Sequence, residues 1–331
     1  MPNFTLMEAT GTLDPFIGKF QAPIVSCVTE TAEAFEETEI CTQIFREVSS
    51  DHFAEGYTSL TAADDWKPTG ENAAAPQNGA EAGYSKIIEN ETWQSTFSIS
   101  REFADDDNIG AATQMAKNFT KGYYRARERF FARMLGEALQ GKSEMKIDNR
   151  VFSLKSADGA NMFSKTHTPK LSGMKQSNLY SDEFSASALF AGATAMQNLK
   201  GDNGETLNMC PDTIIIPNIA TLKQSVLAAL ASIQLPGTNN NDANPNLGVY
   251  KLIVNPYLND YIGSVKAPWI LMDSSFMLDS DCAIFQNRVP MEVSDRREIN
   301  KYYWDGYARF SGGFVDFRGL MAFGITGGSE L

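Results

Sequence analysis

Two histidines, four cysteines and a run of three aspartates are the residues of this 331-residue chain from which catalysis or metal binding would have to start. His52 opens an extended region, and His167 lies in Thr166-His167-Thr168-Pro169. A hydrolytic triad needs a base positioned beside a nucleophile, and neither histidine sits near a GxSxG elbow or a comparable context. A turn histidine bonded to nearby backbone is the ordinary alternative. Cys27, Cys41, Cys210 and Cys282 are far apart, without CxxC spacing, and read as free thiols of a reducing compartment. Neither histidine has a second histidine or a cysteine at zinc-ligand spacing. Asp105, Asp106 and Asp107 have the composition of a cation site, but also of a helix start, where carboxylates accept free backbone N–H groups. The helix cap explains them fully. Lys200-Gly201-Asp202-Asn203-Gly204 looks like part of a calcium loop but lacks the glutamate that would complete it, so it reads as a turn. Neither GxGxxG nor GxxxxGK[ST] is present. No catalytic, cofactor-binding or metal-binding residue is expected, and the chain is not expected to be an enzyme.

The remaining reactive-looking groups are arginines and aromatics. Arg125, Arg127, Arg129 and Arg133 crowd one segment and are able to meet phosphates. Against a net charge of −13, with 28 Lys and Arg facing 41 Asp and Glu, salt bridges to a neighbouring subunit or simple solvation suit them better. Tyr302-Tyr303-Trp304 is read as packing rather than a base-stacking platform. No run of about 18 apolar residues occurs, and the N-terminus lacks a basic region followed by an apolar one. Neither a membrane span nor a signal peptide is expected.

The element that carries the arginines dominates the chain. From Asp105 to Gln140 apolar or small residues recur at Ile109, Ala112, Ala116, Phe119, Tyr123, Ala126, Phe130, Met134 and Ala138, one stripe of a helix of period 3.6. At about 1.5 Å per residue it would be about 50 Å long, with Gly141 as its stop. Gly110, Gly122 and Gly136 allow bending or close approach, and a break near Gly122 would make two helices of it. Upstream, residues 1–28 carry scattered Pro and Gly and read as an extended arm. Thr29–Val48 reads as a helix with Glu33, Glu36, Glu37 and Glu39 in its first half. Strands are expected at Phe53–Leu60 and Trp93–Ser100, flanking a Pro-, Ala- and Gly-rich stretch too long for an ordinary loop. Together they form a hairpin that projects from the body and becomes ordered against another subunit.

Downstream come a strand at Val151–Leu154 and a helix following Ser181 through Lys200. A strand–Pro–helix unit follows, with strand Thr213–Ile216 and helix Ile219–Ala231, then a polar loop at Pro236–Gly248. Strands are expected at Tyr250–Asn255, Pro268–Met272, Ala283–Phe285, Pro290–Val293, Ile299–Phe310 and Phe314–Ile325, with Gly312-Gly313 and Gly327-Gly328 as strand-end turns. The class is α+β, without internal repeats.

This order of elements, with the stretches DTIIIPNIATLKQSVLAAL, KLIVNP, WILMDSS, AIFQN and PMEVSD, resembles the major capsid protein of tailed bacteriophages, the Hong Kong 97-type fold. ANMFSKTHTPKLSG is similar to a stretch found after the long helix in the Mu-type major head subunit branch, although Thr168 and Pro169 depart from the residues usual there. The resemblance implies an N-terminal arm and helix (1–50), an extended loop (51–101) and a peripheral domain with a spine helix at 105–140 (102–177). It further implies an axial domain (178–288) and return strands of the peripheral domain (289–331). It also implies self-assembly into pentamers and hexamers that form an icosahedral shell around double-stranded DNA, without sequence-specific binding and without a membrane. Expected partners are copies of itself, a separate scaffolding protein, a portal and decoration proteins. Expected inter-subunit contacts are Trp66, Lys67, Lys86, Trp93, Arg125, Arg129 and Arg133. The implied location is the virion, assembled in the bacterial host cytoplasm. Because the sequence starts almost directly at the arm, the scaffold is expected to be separate or the chain already processed. An encapsulin-like shell around a cargo enzyme shares the fold, and a cytosolic enzyme of another family is the remaining alternative.

Overall fold

The structure, a computed structural model, describes residues 4–6, 15–60, 68–70, 74, 82–106, 108–232 and 244–325. It opens with a short strand, β1 (Phe4–Leu6), and a 22-residue helix, α1 (Pro15–Glu36). This helix corrects the extended arm expected over 1–28 from Pro15 onward, while Phe4–Leu6 is extended. Pro23 lies inside it and forfeits a backbone bond at a cost of about 3 kcal/mol. Ile24, Cys27, Val28, Thr31 and Ala32 are nevertheless buried at helical spacing, and Ile24 and Val28 share a cluster with Ala112 and Ala116. Burying each branched side chain contributes about 1.5–3 kcal/mol, so packing outweighs the local signal.

The helix expected from Thr29 to Val48 therefore ends early. The Thr38 hydroxyl bonds back to the Ala34 and Phe35 carbonyls, a single turn follows as α2 (Cys41–Ile44), and the chain continues as strand β2 (Arg46–Ser49). Glu33 and Glu36 stand at the C-terminal end of α1, the opposite of the dipole arrangement expected.

β3 (Ala54–Leu60) and β4 (Ala82–Glu89) form an antiparallel hairpin from Ala54↔Glu89 to Leu60↔Ala82. Its second strand is β4, not the Trp93 segment; β5 (Glu91–Ser100) follows at once and joins another sheet. A short helix α3 (Arg101–Asp105) leads to α4 (Ile109–Leu139), 31 residues without a break at Gly122. Asp105 ends α3, and the residue before α4 is Asn108, whose side chain makes no capping bond. Asp105 is thus the last residue of α3 rather than part of the α4 start it was expected to cap, and Asp107 lies outside the described residues. The apolar stripe holds: Ala112, Ala116, Phe130, Met134 and Ala138 are buried. Gly136 matters for close approach, since a Cβ there would lie 2.7 Å from Tyr261 Cβ. Gly141, at φ +75°, ends the helix as expected.

A hairpin of β6 (Glu144–Ile147) and β7 (Arg150–Ser153) follows, then α5 (Ala186–Gln197), which starts at Ser185, whose hydroxyl accepts the Ala188 N–H at 3.0 Å. β8 (Thr213–Pro217), α6 (Ala220–Ala231) and β9 (Lys251–Asn255) make a parallel crossover. β10 (Trp269–Met272), α7 (Ser274–Asp279), β11 (Ala283–Glu298), β12 (Lys301–Phe314) and β13 (Leu320–Phe323) complete the chain. β11 is one strand where two were expected. Its register against β12 shifts between Asn287 and Glu292, around Pro290, which cannot donate to the ladder. The boundary expected at 288/289 falls inside it. Gly312 and Gly313 lie within β12, opposite Phe285 and Ile284, rather than in a turn.

One sheet has the order β1-β11-β12-β5, with β2 also on β11; the other is β13-β10-β8-β9. The second sheet is buried on both faces because its residues alternate. Ile215, Ile270, Met272, Leu320 and Ala322 join the core built around the second half of α4. Ile214, Ile216, Trp269, Leu271 and Phe323 pack with Leu189 of α5 and Val226 of α6. No helix among the described residues is long and apolar enough to cross a membrane.

Candidate functional site

The β3–β4 hairpin is anchored at its root by a set of side chains that the rest of the chain positions. Tyr57 donates its hydroxyl to Gln286 Oε1 of β11 at 3.2 Å, and Gln286 Nε2 reaches Ser50 Oγ at 3.3 Å. Asn90, at the β4–β5 corner, donates to Ser50 Oγ and to the His52 carbonyl, both at 2.9 Å. Ile88 packs with Ile284 and Val315. On the other side Tyr84 donates to the Thr168 carbonyl at 3.2 Å and Lys170 to the Gly83 carbonyl at 3.1 Å. Lys86 Nζ donates to the carbonyls of Ser153 and Lys155, and burial lowers its pKa to about 8. Ile87 on β4 (70%) and Phe53, the residue before β3 (59%), are exposed.

The segment that receives the hairpin is itself held by buried polar groups. His167 is fully buried, stacked 3.9 Å from Phe317. Its Nδ1 lies 2.8 Å from Asp158 Oδ2 and its Nε2 3.1 Å from Asn178 Oδ1. Asn178 also accepts the Ser164 N–H and donates to the carbonyls of Met162, Phe317 and Leu320. Nearby Arg318 pairs with Asp202 and Asp316, each at 2.8 Å. Both ring nitrogens of His167 thus face side-chain oxygens that fasten the segment, and the group is built as a rivet.

A second buried polar group joins α1, α2 and α4. Arg127, 1% exposed, donates Nη2 to Glu39 Oε2 at 3.0 Å and lies 4.5 Å over the Phe285 ring. Glu128 Oε1 accepts the Ile40 and Cys41 N–H groups at 2.6 and 3.2 Å. Burial, with Glu128, Glu47 and Glu36 adding to it against the pull of Arg127, pushes the Glu39 carboxyl up to about 7. Burial, with Glu39, Glu128 and Glu47 adding to it, pushes the Cys41 thiol well above its usual range. Sequence reading missed this group, although Thr120, Tyr124, Arg127 and Phe131, all buried, form a second stripe at helical spacing.

The described residues expected to touch neighbouring subunits sit in several kinds of surroundings. Trp66 and Lys67 lie outside the described residues. Lys86 is spent on the hairpin root. Trp93 is packed within the subunit, stacked 4.7 Å from Phe310 and donating to its carbonyl at 3.1 Å. Its indole edge still lines an open groove with Phe119, Gly122, Tyr123 and Tyr307. Arg133 pairs with Glu137 at 2.8 Å and donates to the Lys146 carbonyl. Arg129 is exposed, its guanidinium 5.9 Å from the Tyr257 ring, and Arg125 is exposed. The aromatic run is packing at Tyr302 and Trp304, which are buried, with Trp304 stacked 4.9 Å from Phe97, whereas Tyr303 faces outward with Arg296 4.5 Å over its ring.

A family profile described as phage capsid protein matches residues 83–322. No curated protein matches the chain. Among solved structures, the capsid of a native GTA particle is 11% identical over 85% of this chain and 88% of that one, with a TM-score of 0.50. A structure from Microbacterium phage Oxtober96 is 9% identical over 86% of this chain and 90% of that one, with a TM-score of 0.49. A virus-like particle from Pyrococcus furiosus is 10% identical over 92% and 98%, with a TM-score of 0.45. At such identities the likeness is one of fold alone. Matched by the profile over most of its length, and built of mixed helices and sheets, the chain belongs to the phage capsid protein family and has a Hong Kong 97-type fold.

Proposed function

We propose that this chain is the major head subunit of a tailed phage, assembling as pentamers and hexamers into an icosahedral shell around double-stranded DNA. The family match over residues 83–322 carries the reading. In it α4 is the spine helix of a peripheral domain, the four-stranded sheet with α5 and α6 is the axial domain, and the β3–β4 hairpin is the extended loop that crosses a neighbour. The exposed Ile87 on β4 and Phe53 just before β3 support that role for the hairpin, since they offer apolar surface to a neighbouring copy. Arg125 and Arg129, exposed on α4, are proposed to meet acidic groups of adjacent copies. A scaffolding protein, a portal and decoration proteins are the further partners, and the virion is the location. The Mu-type placement rests on the 160–173 segment, in which Phe163 and His167 are both buried.

The test removes the part of the hairpin beyond its paired strands. Replacing residues 61–81 by Asn-Gly joins Leu60 to Ala82, which already face each other, with a turn suited to a two-residue connection. The variant is expected to stay folded, with a far-ultraviolet spectrum and melting transition like the parent, and to form no shells. Intact shells from it would overturn the assignment of the hairpin.

A further inference from the structure

Glu39 and Cys41 flank the turn that enters α2, and Glu128 faces them from α4. One ligand atom from each, a carboxylate oxygen, a thiol sulfur and a second carboxylate oxygen, lies within 4.8 Å of the others. All three residues are buried, at 5%, 2% and 7% exposure. Each carboxylate uses only one of its oxygens for hydrogen bonding: Glu39 Oε2 meets Arg127, and Glu128 Oε1 meets two backbone N–H groups. The other two, Glu39 Oε1 and Glu128 Oε2, are buried without a hydrogen-bonding partner. An orphaned carboxylate oxygen inside a protein is costly, and here two of them stand in one group with a thiol.

We infer that Glu39, Cys41 and Glu128 form a structural binding site for a thiophilic divalent cation of the zinc class. The donor set fits such an ion, since sulfur excludes the purely oxygen-seeking magnesium and calcium, whereas zinc accepts thiolate and carboxylate together. The charges also fit. With a metal bound, the carboxylates of Glu39 and Glu128 and the thiolate of Cys41 place three negative charges beside the guanidinium of Arg127, with Glu47 and Glu36 close enough to add to them, so a divalent cation meets a net negative group. On binding, the S–H bond breaks, its proton leaves to solvent and the sulfur electron pair forms the bond to the metal. The ion would fasten the α1–α2 turn, which precedes the segment matched by the family profile, to the long helix. The inference stands whether or not the chain builds shells.

The experiment uses the full chain, produced without an affinity tag and purified without chelators. Elemental analysis is expected to give about one zinc per chain. Replacing zinc with Co²⁺ is expected to produce a sulfur-to-cobalt charge-transfer band in the near ultraviolet. That band should persist in Cys210→Ser, which removes the exposed thiol, and vanish in Cys41→Ser. Glu128→Gln should weaken Co²⁺ binding by about tenfold or more. The parent protein and Cys210→Ser decide the matter even if Cys41→Ser fails to fold. No zinc and no cobalt band in the parent, or a band lost in Cys210→Ser, overturns the inference.

Discussion

The Asn178 side chain connects parts of the chain that are far apart in sequence, because its amide donates to Met162, Phe317 and Leu320 while its oxygen accepts from Ser164 and faces His167. Truncation to alanine leaves these buried groups without a partner, and each unsatisfied group costs about 1–3 kcal/mol. Asn178→Ala is therefore expected to lower stability by about 3 kcal/mol or more, read from urea unfolding; a loss below about 1 kcal/mol would contradict the role given to it. Asp158 supplies the pH dependence of the same rivet. Burial alone would raise its pKa, but bonds from His167, Ser156 and the Ala160 N–H outweigh it, and the carboxyl is held below its ordinary 3.8. The unfolded chain then binds the proton more readily, so the contribution is present above the ordinary value and is lost as pH falls through the depressed one. The stability gap between the parent and Asp158→Asn is expected to narrow on acidification below about pH 4. A gap that widens would show the sign to be wrong.

At the scale of elements, α4 was legible because its stripe is local: every apolar step of three or four lies within the helix itself. The strands Trp93–Ser100 and Thr213–Ile216 were legible for the same reason, the first by alternation and the second by β-branched residues before a proline. α1 was not, since Pro15, Gly18 and Pro23 speak against a helix, and the residues that stabilise it, Ala112 and Ala116, come from another element. β11 was read as two pieces because Pro290 marks a break locally, whereas its long pairing with β12 carries the strand across. The buried Arg127 group was hidden for a related reason: its position on a buried stripe was visible, but the carboxylate that neutralises it lies far away in sequence. The glycines of α4 separate two roles that sequence alone left together. At Gly136 an added Cβ would meet the Tyr261 backbone at 2.9 Å, whereas at Gly122 nothing lies within 4 Å. Gly136→Ala is expected to destabilise by about 1–3 kcal/mol through overpacking. Gly122→Ala should instead stabilise the subunit by about 0.5–1 kcal/mol through helix propensity. Equal losses at both positions in parallel thermal melts would contradict this distinction.

The whole molecule combines a well-filled core with large apolar residues exposed at its surface. The cores around α4 and on both faces of the four-stranded sheet account for the body. Phe53 before β3, Ile87 on β4 and Ile299 (87% exposed) at the turn between β11 and β12 are among these exposed residues. A surface with a net charge of −13 keeps separate copies soluble and repels a nucleic-acid backbone, so enclosing DNA calls for a closed wall rather than for binding it. Repeated weak contacts between many identical copies are sufficient to build such a wall. The measurement that tests this most directly is negative-stain electron microscopy of the purified full chain, across protein and salt concentrations and with a scaffolding protein supplied. Closed shells of uniform diameter, tiled by five- and six-membered capsomers, are the predicted result; compact monomers under every condition would contradict it.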